Sequence, residues 1–201
     1  MKTLLYAVVI VSSLSFGQSA GRYEEAKRLG FAYVQSEQFD RAVGHLEEIW
    51  ENDKSDPVVG EHLAMAYFNS TDKKKDVPVM EKDAIALVEK LYAAGHRVSF
   101  MVQHSHEKLA WLQGRELNQY CRGRISIYPG RVVYIANKGE RAAQHSFDVT
   151  EIREISLNED DRRGTFGLKT AGGSYFFAIR NRNRNEARLL VDLVKRNPKN
   201  H

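Results

Sequence analysis

The hydrophobic pattern of this chain changes its period at Gly95, and this change constrains the fold more than any other feature. Before Gly95, apolar residues recur every three or four positions, as at Val43, Leu46 and Trp50. After Gly95, apolar and polar residues alternate, as around Phe100. The first pattern is typical of a helix with one buried face, and the second of a half-buried strand. The sequence therefore predicts an α+β protein, with a helical module over residues 21–94 and a strand-rich domain over residues 95–201.

The first twenty residues have the layout of a secretory signal peptide. Lys2 precedes a short apolar run, and small residues follow up to Ala20. The run is shorter than the about 20 residues that span a bilayer. We therefore expect an exported protein, periplasmic or secreted, with cleavage after Gly17 or Ala20. The alternative is an uncleaved membrane anchor.

Composition is that of an ordinary globular protein. The 201 residues are 42% hydrophobic and 28% charged, and the net charge is +4. This mild positive charge suits an anionic partner without requiring one. Cys121 is the only cysteine, so no internal disulfide can form. We expect Cys121 to be a small buried core residue, with a reactive thiol as the alternative.

A five-residue pattern recurs in the helical half. Leu29-Gly30-Phe31-Ala32-Tyr33 returns 34 positions later as Leu63-Ala64-Met65-Ala66-Tyr67. With the following helix, this segment resembles a tetratricopeptide repeat. The matching positions are Leu29, Gly30, Ala32, Tyr33, Phe39, Ala42 and Leu46. Ala26 and Pro57 depart from the family pattern, and a polar loop lengthens the second copy. A pair of helical hairpins without repeat ancestry is the alternative.

The resemblance implies a peptide bound in a concave groove lined by the first helix of each repeat. The candidate residues on this basis are Arg28, Phe31, Tyr33, Val34 and Met65. Two repeats are fewer than the usual minimum of three, so their apolar faces need a cover. The cover is expected from the following domain, from further helix, or from another chain, such as a second copy in a homodimer.

The strand half predicts about seven short antiparallel strands and one final helix. Tyr128-Pro129-Gly130 and Ala171-Gly172-Gly173 mark tight turns. Asn183 is placed to cap the helix, with Glu186 completing a capping box. The apolar stripe of this helix should pack against a curled barrel or sandwich. This arrangement resembles a pleckstrin-homology-like domain over residues 95–197. Other small barrels that end in a helix remain open.

The resemblance to pleckstrin-homology domains also implies an anion site, because some members bind inositol phospholipids through basic residues around the first hairpin. The corresponding residues here are Lys108, Arg122 and Arg124. Solvated arginines at a strand edge are the alternative. A second basic run covers residues 180–184. It has no interleaved aromatic residues that could stack on bases, so nucleic acid is not expected as a partner.

Catalytic motifs are missing from the sequence. It has no nucleophile elbow, phosphate loop or dinucleotide fingerprint. His104 and His106, with Glu107, are the best metal candidates, but zinc generally needs three or four ligands. We predict no enzyme, no cofactor and no bound metal. The predicted function is an exported adaptor that binds a protein or peptide. The alternatives are binding of an anionic ligand or membrane surface, and a metal-dependent hydrolase that uses His104 and His106.

Overall fold

Five helices and seven strands make up the described part of the protein. The computed structural model describes residues 21–71, 77–105, 120–137, 144–161 and 163–197. The helices before the sheet are α1 (21–35), α2 (Phe39–Asn52), α3 (Pro57–Asn69) and α4 (Val77–Ala93). The strands are β1 (Val98–Ser105), β2 (Tyr120–Tyr128), β3 (Arg131–Ala136), β4 (Gln144–Asp148), β5 (Ile152–Leu157), β6 (Thr165–Thr170) and β7 (Gly173–Ile179). A 3-10 turn (Val149–Glu151) precedes β5, and α5 (Arg184–Arg196) follows β7.

The helices pair closely because small residues lie at their contacts. A Cβ atom added at Gly30 would lie 2.6 Å from Cδ2 of Leu46, so α1 and α2 meet without space for a side chain there. At Gly60 an added Cβ would lie 3.1 Å from the Trp50 ring. Asp56 caps α3, since its Oδ1 accepts hydrogen bonds from the backbone N–H groups of Val58 and Val59. This packing is expected both for tetratricopeptide repeats and for helical hairpins without repeat ancestry. It therefore does not confirm the predicted repeat family.

The seven strands form one antiparallel sheet in the order β4-β3-β2-β1-β7-β6-β5. Its two faces follow from the alternation of side chains along each strand. Phe100, Ile125 and Tyr134 are register neighbours and are buried on one face. Met101 and Arg124 lie on the opposite face, with Ile135 beside them. The predicted change from helices to strands falls between α4 and β1.

Helix α5 closes the chain and packs against β5, β6 and β7 with a continuous buried stripe. The stripe consists of Ala187, Leu189, Leu190, Val191, Leu193 and Val194. Asn183 caps the helix as predicted, because its Oδ1 accepts from the N–H groups of Asn185 and Glu186. The predicted second half of the capping box is wrong. The Asn183 N–H donates to Oδ1 of Asn181 at 2.9 Å, so that donor is already occupied, and Glu186 is buried.

One hydrophobic core joins the helices to the sheet. Glu61 of α3 is 3% exposed and accepts a bidentate hydrogen bond from Arg97 and a further one from Ser99 of β1. Ser99 in turn contacts the hydroxyl of Ser126 at 2.7 Å. The predicted need for a cover over the helices is therefore met by the strands of the same chain.

Cys121 is buried, as predicted for a core residue. The predicted signal peptide lies outside the described residues. Within the ranges that the structure describes, no helix is both long enough and apolar enough to cross a bilayer.

Candidate ligand-binding cleft between the helices and the sheet

A cleft of about 310 Å³ remains where the helices meet the outer face of the sheet. We name it the interlayer cleft. Its lining residues are Val34, Gln35, His62, Met65, Met101, Arg124, Ile135 and Asn137. The volume lies at the small end of the range of about 300–1,000 Å³ that is usual for ligand clefts. The cleft has room for a small molecule or the end of a chain.

Regular elements fix the position of the lining. His62 and Met65 are three residues apart on α3, so they share one face of that helix. Met101, Arg124 and Ile135 form a single row across β1, β2 and β3, because each is the register partner of the next. The floor of the cleft is thus built on a sheet and a helix rather than on loops.

The lining of the cleft is half apolar and half polar, and its described residues carry one positive charge, that of Arg124. Val34, Met65 and Met101 are buried, whereas Ile135 is 40% exposed at the rim. No carboxylate is among the lining residues that the structure describes. The guanidinium of Arg124 has no hydrogen bond or ion pair to any other side chain that the structure describes. The cleft is therefore chemically suited to an apolar group with an acceptor or a negative charge.

His62 supplies a flat, uncharged part of the wall. Its Nδ1 donates to the backbone oxygen of Val58 at 2.8 Å, and its ring stacks on Phe31 with centroids 4.1 Å apart. Burial lowers the pKa of His62 below its usual value, and the nearby Arg124 guanidinium lowers it further. The imidazole is thus neutral at pH 7, which leaves Arg124 as the charged group of the cleft.

The structure divides the five predicted peptide-binding residues among different places. Val34 and Met65 line the interlayer cleft, and Phe31 lies behind its wall through the stack on His62. Tyr33 packs instead on His45 of α2, with ring centroids 5.4 Å apart. Arg28 is exposed to solvent. The five residues therefore do not form one groove, and only Val34 and Met65 line a space that faces the sheet.

The predicted anion-binding residues are also separated. Arg124 lines the cleft, whereas Arg122 lies 3.8 Å from the carboxylate of Glu37, which also pairs with Arg180 at 2.5 Å. Lys108 lies outside the described residues. In the basic run before α5, Arg180 lies beside Glu37 and Arg184 beside Glu159, which Arg188 also contacts.

The candidate metal ligands do not form a site in the described structure. His104 is buried in the core beside the rings of Tyr134 and Phe177, at centroid distances of 5.4 and 5.0 Å. His106 and Glu107 lie outside the described residues. Among the residues that are described, no three His, Cys, Asp or Glu side chains are grouped to hold a metal ion. The position of His104 gives the hydrolase hypothesis no support.

Sequence reasoning missed several residues of the cleft, although a signal for two of them was present. Met101 interrupts the otherwise polar outward face of β1, between Ser99 and Gln103, and Ile135 follows Val133 on the outward face of β3. Apolar residues on both faces of a strand indicate that both faces are covered. Gln35, His62 and Asn137 carried no comparable signal.

A second, larger depression of about 540 Å³ lies between the α1–α2 turn and the segment after β7. Its lining includes the acids Glu37 and Asp40 and the bases Arg41 and Arg180. Glu37 pairs with Arg180, and Asp40 accepts hydrogen bonds from Ser70 and Thr71. Because these acids and bases balance, the depression offers a ligand less unmet charge than the interlayer cleft.

Comparison with known proteins yields structural matches only. No protein-family model matches the sequence, and no curated protein does. The N-terminal PH domain of human ARAP2 matches with 11% identity and a TM-score of 0.38, covering 51% of this chain and 78% of that domain. The PH domain of human oxysterol-binding protein-related protein 11 matches with 14% identity and a TM-score of 0.37, covering 50% and 78%.

A third match is Inner Membrane Complex Sub-compartment Protein 3 from Toxoplasma gondii, with 12% identity, a TM-score of 0.39, and coverage of 58% and 87%. The PH-domain matches fall on the C-terminal half. At these scores they carry no information about a ligand. The fold class rests on the chain's own elements, which are helices followed by an antiparallel sheet and a closing helix, as predicted.

Proposed function

We propose that this protein is a non-catalytic binding module that holds a segment of a partner protein in the interlayer cleft. The observation that supports the proposal most strongly is the row of Met101, Arg124 and Ile135 facing Met65 across an accessible space. A ligand site usually combines apolar residues with placed polar groups, and here four polar side chains accompany four apolar ones.

The chemistry of the lining favours binding over catalysis. Proton transfer or nucleophilic attack needs a reactive group beside a base or an acid. Among the lining residues His62 is the only group that titrates near neutral pH, and its Nδ1 is occupied by the Val58 carbonyl. Binding to a membrane surface is less favoured, because the predicted basic rim does not form one patch: Arg124 lines the cleft, whereas Arg122 lies beside Glu37.

An adaptor role outside the cytoplasm is the finer form of this proposal. It rests on the layout of residues 1–20 and on the repeat-like pattern of α1 and α3. The intact mass of the protein recovered from its own cells tests the first part. Loss of residues 1–17 or 1–20 supports export, whereas a chain that keeps Met1 in the cytosol contradicts it.

The site itself is tested with peptides selected from a displayed random library on the full chain. We expect Ile135→Glu to abolish retention of the selected peptides, because it puts a charge at the apolar rim of the cleft. Val77→Glu is the matched control. Val77 is an apolar residue of α4 that is 47% exposed, close to the 40% of Ile135, and it lies outside the cleft lining. Equal retention by the wild type and by Ile135→Glu would place the binding site elsewhere.

A further inference from the structure

We propose that the interlayer cleft recognises the C-terminal residue of a partner peptide, with an apolar side chain between the helices and the sheet and the terminal carboxylate on Arg124. This inference rests on the proposed function and names the chemistry of its ligand. It is carried by the charge, the apolar lining and the size of the cleft.

The charge of the cleft favours a carboxylate. Arg124 brings a positive charge to a lining whose described residues include no acid, and no described side chain forms an ion pair with its guanidinium. A guanidinium at the border of an apolar space gains most from a planar anion that accepts two parallel hydrogen bonds. Gln35 and Asn137 add amide groups to the same lining, and each can donate to a carboxylate oxygen. A phosphate dianion fits less well, because the cleft supplies one cation and a neutral His62.

The apolar lining favours an aliphatic or aromatic side chain beside that carboxylate. Met65 and Met101 face the cleft from opposite layers, and Val34 and Ile135 complete the apolar surface. Methionine side chains adapt to ligands of different shape because they are unbranched and polarizable. We therefore expect a preference for an apolar last residue rather than for one particular side chain.

The size of the cleft favours a chain end over an internal segment. A volume of about 310 Å³ holds a single residue or a short acyl chain, and the sheet floor blocks passage on one side. A peptide that runs through the cleft would need an exit past β1 to β3. A terminus needs only the open edge of the cleft, where Gln35, Ile135 and Asn137 are exposed.

The test uses the full chain labelled with ¹³C at the methionine methyl groups. Met65 and Met101 line the cleft, whereas Met80 is buried on α4 outside it and serves as an internal control. The probes are N-acetyl-leucine and its carboxamide, and octanoate and octanamide. We expect N-acetyl-leucine to move the Met65 and Met101 signals but not the Met80 signal, and to bind about tenfold or more tightly than its carboxamide.

Two neighbouring arginines provide a matched pair of variants. Arg124→Gln should weaken binding of N-acetyl-leucine about 10- to 100-fold and leave the carboxamide unchanged. Arg122→Gln should leave both unchanged, because Arg122 lies on the same strand but pairs with Glu37. Equal binding of acid and amide, or equal losses in the two variants, would overturn the inference while the peptide-retention test of the proposed function still stands. Tighter binding of octanoate than of N-acetyl-leucine would overturn the assignment to a peptide end.

Discussion

Two buried glutamates show how a single residue's surroundings decide its role. Glu61 is surrounded by donors from Arg97 and Ser99, so its charge ties α3 to β1. Glu186 is 1% exposed and has no cation beside it, and its Oε2 atom has no hydrogen-bond partner among the described residues. Burial raises the pKa of Glu186 well above its usual value. Glu61 thus links the helical layer to the sheet, whereas Glu186 lowers the free energy of unfolding at neutral pH.

Replacing Glu186 should therefore stabilise the protein in a pH-dependent way. A carboxyl group whose pKa is raised by folding contributes stability that is present below its unfolded pKa and is lost as pH rises towards the folded value. We expect Glu186→Gln to gain about 1–3 kcal/mol in the free energy of unfolding at pH 7 and little at pH 4. Urea denaturation at the two pH values measures this. The control is Glu25→Gln, at an exposed position of α1, and a gain that is equal at both pH values would refute the explanation.

At the scale of elements, the contact of α1 with α2 depends on the missing side chain of Gly30. An added Cβ would lie 2.6 Å from Leu46 Cδ2, which is closer than packed atoms allow. Gly44 of α2 has nothing within 4 Å of an added Cβ. A substitution at Gly30 therefore reports on close packing between helices, whereas one at Gly44 reports on helix propensity alone.

Alanine at these two positions should have opposite effects. Gly30→Ala is expected to cost about 1–3 kcal/mol, because Leu46 must move in a packed core. Gly44→Ala is expected to gain about 0.5–1 kcal/mol, because alanine favours the helix and meets no neighbour. Thermal or urea unfolding of both variants provides the measurement. A gain at both positions would mean that α1 and α2 are not in close contact.

Most elements could be predicted from the sequence because their signals are local. The alternation around Phe100, the turn at Gly130 with its positive φ of 76°, and the Asn183 cap all act within a few residues, and the structure confirms each. The role of Glu186 was mispredicted because the capping-box pattern does not show that Asn181 occupies the same backbone donor.

The candidate site was less predictable because it forms between elements far apart in the sequence. The sequence predicts Val34 and Met65 for a peptide groove in the helical module and Arg124 for an anion site in the strand domain. Nothing local indicates that α3 lies on the outer face of β1. That contact depends on Glu61 and Ser99, which are 38 positions apart. Glu61 lies in a mostly apolar helix, and a glutamate in such a position indicates a polar partner from another layer.

At the scale of the whole molecule, the helices and the sheet behave as one body. The core cluster runs from Val34 of α1 to Val194 of α5 without a break. Tyr92 of α4 donates to the backbone oxygen of Leu193, and Arg196 pairs with Glu89, so α5 also contacts the helical layer. The interlayer cleft has fixed walls only if these layers stay together.

Native-state hydrogen exchange shows whether the helices and the sheet unfold as one body. The amides of α3 and those of β6 are followed in the same sample. We expect the best-protected amides of both elements to open with the same free energy, that of global unfolding. Glu61→Gln, which leaves Arg97 without its anion, should lower both by the same amount, about 3 kcal/mol. Opening of α3 well below the free energy of β6, or a loss confined to α3, would contradict a single core and the cleft that depends on it.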